Sequence, residues 1–112
     1  MDITTTVDGS VTVLNIAGPI DFATSKDVEH AVNALIDGGG KRVVFDLSGV
    51  GYVSSAGLRA LLMAAKKAKA AGGGVAVFGL QAGVAEVFAT AGFGKIVPIA
   101  ASGSHAREML GG

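Results

Sequence analysis

Two periods of apolar residues run along this chain, and the switches between them mark its elements. Val43, Val44, Phe45 and Leu47 form a short β-branched and aromatic run, the pattern of a strand buried on both faces. Ser48, Gly49 and Gly51 break it. Leu58, Leu61, Leu62 and Ala65 then recur at i, i+3, i+4 and i+7, one stripe of an amphipathic helix. Lys66, Lys67 and Lys69 fall in its last turns, where cations favour the dipole, and Gly72 to Gly74 stop it.

The rest of the chain follows the same alternation. Ile3 to Val7 is a first strand, Asp8-Gly9 a hairpin turn, and Val11 to Ala17 a second strand ended by Gly18-Pro19. Thr24 or Asp21 caps a helix striped by Val28, Ala31, Val32 and Leu35 and terminated at Gly38 to Gly40. Val75 to Phe78 is a fourth strand. Gly83 to Ala91 is a third helix, with Val84, Val87, Phe88 and Ala91 inward and Gly92 as its stop. Lys95 to Ile99 is a short strand at the sheet edge, because Pro98 bars it from a central ladder. Ser102 or Ser104 caps a last turn or two through Leu110. The order ββαβαβαβα predicts an α/β fold: a small, mostly parallel sheet with an antiparallel N-terminal hairpin and right-handed crossover helices.

Composition narrows the function classes. The 112 residues make one domain, 1–112, with a core of its own. The formal net charge is zero, so nothing steers the chain toward nucleic acid or an anionic membrane. There is no cysteine, hence neither a disulfide framework nor a thiolate metal site. No cationic and apolar leader opens the chain, and no apolar run approaches the ~18 residues of a membrane span. A soluble cytoplasmic protein is expected. Eighteen glycines point to close helix–sheet packing.

Ser54 and Ser55 fall at the start of the central helix. A serine there caps the helix, a contribution of about 1 kcal/mol. A hydroxyl there also stands where a phosphate would meet free N–H groups and the positive end of the dipole. One serine suffices for a cap. Gly57, inside the first turn, lets another backbone come close to Ser55. Arg59 lies four residues after Ser55 on the same face, and a cation in the first turn opposes the dipole. Two local rules broken beside one hydroxyl point to a functional site.

Other chemistries fit poorly. Gly49-x-Gly51-x-x-Ser54 imitates a dinucleotide fingerprint but has serine in the third position and no acid at the proper distance. Val53-Ser54-Ser55-Ala56-Gly57 imitates a nucleophile elbow without its first glycine; Glu86 and His105 follow in the order of a hydrolase triad. No histidine pair has metal spacing, and exposed His30 reads as solvated. Asp21 and Asp46 end strands or begin the loops after them, on the sheet edge that also carries Ser55. They read either as loop caps or as an acidic rim. Ser55, Arg59, Met63 and Lys66 form a line beside the apolar stripe, where Met63 is either a flexible recognition residue or half-packed core.

The run DLSGVGYVSSAGLRALL resembles the central motif of STAS domains, specifically the bacterial anti-sigma factor antagonists. GPIDFATS at 18–25 and VFATAGFGKIVPI at 87–99 resemble flanking family segments, so the likeness covers nearly the whole chain. It implies the STAS fold and a non-enzymatic role without a cofactor of its own. It further implies two partners, an anti-sigma factor with serine kinase activity and a serine phosphatase. The family's phosphorylated serine maps onto Ser55; the residue before it, often Asp, is here Ser54. Asp21 and Asp46 become an acidic rim, and Asp21, Asp46, Ser54, Ser55, Ala56, Gly57, Arg59 and Met63 the expected partner surface. The alternative role within the same fold is a STAS module of a transport or sensory complex that is not switched.

Overall fold

The computed structural model describes residues 1–111. Strands β1 (Asp2–Asp8), β2 (Val11–Ala17), β3 (Arg42–Gly49) and β4 (Gly74–Phe78) form one sheet in the order β1-β2-β3-β4. β1 and β2 pair antiparallel, whereas β2–β3 and β3–β4 are parallel. The helices are α1 (Ser25–Asp37), α2 (Ser55–Ala70), α3 (Ala82–Thr90) and α4 (Gly103–Met109).

The two sheet faces are unequal. Leu14, Ile16, Val43, Phe45 and Leu47 point into the main core, with Val28 and Val32 of α1, Leu61, Ala64 and Ala68 of α2, and Val84 and Phe88 of α3. Val11, Val13, Val44 and Ala76 point the other way and meet Ala106 of α4. Both faces of β3 are therefore dry, as its unbroken apolar run requires.

Three elements depart from the sequence pattern. Lys95 to Ile99 is not a strand. Phe93–Lys95 is one turn of 3-10 helix, and Ile99 makes a single parallel bridge to Val77. Pro98 has no N–H to continue a ladder. Its carbonyl accepts from Val77 N at 3.0 Å, and Ala100 N donates to Val77 O at 2.8 Å, two bonds on the outer edge of β4. On α2 the buried face is centred on Gly57, Ala60, Leu61, Ala64 and Ala68, with Leu58, Leu62 and Ala65 only half-buried at its margin. These small side chains let α2 lie close to the sheet, and the leucines seal the sides. On α3 only Val84 and Phe88 are buried; Val87 and Ala91 are exposed. Its nine residues touch the core along one i, i+4 row, and Phe88 stacks at 4.2 Å on Phe93.

Candidate functional site

The site is built on the start of α2. Ser54 has extended backbone (φ −82°, ψ 174°), and its Oγ accepts a hydrogen bond from Gly57 N at 3.1 Å. That is an N-cap with the usual contribution of about 1 kcal/mol. Ser55, the first helical residue, is exposed, and among the described residues no hydrogen bond engages its hydroxyl. Ser54 thus takes the cap, and Ser55 is left with an exposed hydroxyl.

The loop after β2 is laced over this start. Ile20 N donates to Tyr52 O and Ser54 N to Ile20 O, both at 2.9 Å, around a parallel bridge from Ile20 to Val53. A Cβ on Gly57 would overlap the Ile20 carbonyl oxygen and come within 2.8 Å of its Cγ2. The backbone that needs Gly57 is Ile20's own, so this glycine builds the site from within.

Asp21 continues the loop. Its Oδ1 accepts from Thr24 N at 3.0 Å, and Asp21 N donates to Thr24 Oγ1 at 2.9 Å. Thr24, the residue before α1, therefore bonds back into the loop and leaves the first-turn N–H groups of α1 uncapped by its side chain. The bond from the Thr24 N–H holds the Asp21 carboxyl below its ordinary value.

Asp46 belongs elsewhere. Its Oδ1 accepts from Ser48 N at 3.0 Å and Ser48 Oγ at 2.7 Å. It lines a separate hollow with Asp2, Thr4 and Asn15, on the sheet face shared with α4. The acid that shares a hollow with Ser55 is instead Glu86. A hollow of about 520 Å³ between α2 and α3 is lined by Ser55, Leu58, Glu86, Val87 and Tyr52, among others. The apolar period of α3 predicts Val87 and Ala91 inward; both instead line the hollow, and Glu86 lies on its margin with Gly83 and Thr90.

His105 takes no part. It sits on α4, across the sheet, where its Nδ1 accepts from Ala101 N at 3.4 Å. The candidate triad of Ser55, Glu86 and His105 is therefore not assembled. His30 is exposed, as expected.

Ala56 is half-buried beside Ser55, while Arg59, Met63 and Lys66 are exposed, so the line along α2 faces solvent. Met63 is 54% exposed and lines a groove of about 250 Å³ between α1 and α2. Lys67 closes that groove, its Nζ donating to Asn33 Oδ1 at 2.8 Å and lying 3.5 Å from Asp37. Two further aromatic side chains stand out in solvent: Phe22 is 74% exposed and Tyr52 57%. They stand on the two loops that Ile20 joins. Their signal was an aromatic residue in a loop at the carboxyl ends of the strands, where no alternation demands burial.

Among the described residues no helix is long and apolar enough to cross a membrane, and no group of three His, Cys, Asp or Glu could hold a metal.

Known proteins share this architecture. The STAS domain family model matches residues 2–106. Over 96 residues the chain is 36% identical to BtrV of Bordetella bronchiseptica, provisionally named an anti-sigma factor antagonist; the match covers 86% of this chain and 82% of BtrV. A similarly named protein of Thermotoga maritima superposes with a TM-score of 0.91 at 19% identity, over 98% of this chain and 95% of its own. The phosphorylated form of the Bacillus cell fate determinant SpoIIAA superposes with a TM-score of 0.72 at 14% identity, over 96% and 99% of the two chains. At such identities the two solved structures speak to the fold, whereas the family model and BtrV speak to descent: the chain belongs to the STAS domain family, in its anti-sigma factor antagonist group.

Proposed function

We propose that this chain is a non-enzymatic, cytoplasmic anti-sigma factor antagonist whose binding is switched by phosphorylation of Ser55. The observation that carries the reading is the division of labour at α2: Ser54 holds the cap, and Ser55 presents an exposed, uncommitted hydroxyl. The name of the 36% identical relative supports the antagonist role. That a protein of this fold has been solved in a phosphorylated form supports the switch.

In its unmodified state the chain binds an anti-sigma factor with serine kinase activity and so releases a sigma factor. The surface is Ser55 with Asp21, Ser54, Ala56, Gly57, Arg59 and Met63, extended by the exposed rings of Phe22 and Tyr52. Aromatic side chains of this kind anchor interfaces. The kinase then transfers the γ-phosphoryl group of its ATP to Ser55 Oγ. The new O–P bond forms as the bond to ADP breaks, and the hydroxyl proton is released. A phosphoserine brings about −1.5 to −2 charges and three acceptor oxygens. A docked partner would have to desolvate them, and binding ends. A serine phosphatase hydrolyses the ester and restores it.

Incubation with serine kinases from the same genome, followed by phosphopeptide mapping, tests this. Phosphate on Ser55 is the expected outcome. Phosphate confined to Ser54 would overturn the assignment, because that oxygen is the cap.

A further inference from the structure

A phosphate on Ser55 has two ways to lie. It can turn into the hollow between α2 and α3, or along α2 toward Arg59, one turn on. The hollow carries Glu86, and none of its lining residues is a cation. Arg59 is exposed and does not line the hollow. Two other charged groups, on the Ile20 loop and the start of α1, do not line the hollow: Asp21 accepts from Thr24 N, and Lys26 lies over the Phe22 ring at 5.9 Å from its centroid. Tyr52 is the remaining titratable group of the lining. A phosphate turned into the hollow would share it with a like charge, which repels it, whereas opposite charges one helical turn apart attract.

We propose that Glu86 is a positioning residue that holds the Ser55 phosphate out of the hollow and directs it to Arg59. The inference rests on Ser55 as the modified residue. Its consequence is that the phosphate does not settle into the hollow. The charge stays displayed on the surface where a partner docks, and a carboxylate from α3, distant in the chain, makes the switch legible.

Phosphoserine installed at position 55 by amber-codon incorporation, with the second phosphate ionisation followed by ³¹P NMR, tests this without any kinase. A nearby carboxylate disfavours the dianion and raises that ionisation; a nearby guanidinium lowers it. Glu86→Gln is therefore expected to lower the ionisation by about 0.3–1 pH unit, and Arg59→Gln to raise it by a comparable amount. Glu86→Asp, which keeps the charge, returns it toward wild type. Glu108→Gln, on α4 across the sheet, leaves it in place. A Glu86→Gln value within about 0.1 unit of wild type overturns the proposal. Since the phosphate is installed, that result leaves the kinase switch standing. Conversely, a Ser55 that no kinase modifies sinks the switch and leaves the Glu86 titration intact.

Discussion

Helices α2 and α4 begin with the same chemistry. Ser54 Oγ accepts from Gly57 N and Ser102 Oγ from His105 N, each at 3.1 Å. Each helix has a second serine just inside its start, Ser55 or Ser104, and an arginine one turn on, Arg59 or Arg107. The surroundings then part them. Arg107 Nη2 donates to Ser104 Oγ at 3.3 Å while its Nε lies 3.0 Å from Asp8, so the second serine of α4 is tied to the hairpin. α4 has seven residues and buries one, Ala106. α2 has sixteen and buries five, has the Ile20 loop packed on its first turn, and faces Glu86 across a hollow. A cap aligns the N–H groups of a first turn; the neighbours decide whether the next hydroxyl is left for a partner.

The largest expected effect breaks this pair apart by charge. Ser55→Asp should weaken binding of the proposed anti-sigma factor partner by at least about 100-fold, near 2.7 kcal/mol, while Ser104→Asp stays within about threefold. Ser55→Ala should bind constitutively. Titration calorimetry against the purified partner reads all three, and equal losses at 55 and 104 would erase the distinction.

Glycine substitutions come next. Gly57→Ala forces a methyl group into the Ile20 carbonyl and should cost about 1–3 kcal/mol in urea unfolding. At Gly103 the same methyl group meets the half-buried Phe78 ring at 3.2 Å. A small ring shift accommodates it, and alanine's helix propensity returns up to about 1 kcal/mol, so Gly103→Ala should be near neutral.

The caps differ less. Ser54→Ala should cost about 1 kcal/mol, and Ser102→Ala about half of that, because a seven-residue helix frays locally instead of transmitting the loss to the core. Thermal unfolding of both variants checks the order.

The smallest effect is in acid. The folded Asp21 carboxyl sits below its ordinary value of 3.8. Its bonds therefore add stability above the unfolded value, and this is lost as pH falls through the folded one. Asp21→Asn should flatten the stability profile below about pH 4 and leave it parallel to wild type at neutral pH. An unchanged acid limb would show that the Thr24 bond is not specific to the folded loop.

Much of this molecule can be read from its residues. Strand β2 covers the predicted residues, and β3 and α2 lie where their periods place them, because a doubly buried strand and a sixteen-residue amphipathic helix leave few alternatives. The start of α2 was legible for the same reason: Ser54, Ser55 and Gly57 act within one turn, where spacing is geometry. The segment 95–99 was misread because its apolar period describes burial. Whether such a run becomes a strand depends on N–H groups, and Pro98 lacks one.

What the sequence determined by itself is local: which residues turn inward, where helices start, and which serine is spare. Tertiary structure decided what stands opposite that serine. Asp46 and Glu86 are both acids of ordinary sequence context, yet β-strand parity sends Asp46 to the far face with Asn15, and the buried i, i+4 row of Val84 and Phe88 leaves Glu86 exposed on the margin of the hollow that Ser55 also lines. Side-chain direction along one element follows from its period, but which two elements confront each other follows only from how the helices settle on the sheet.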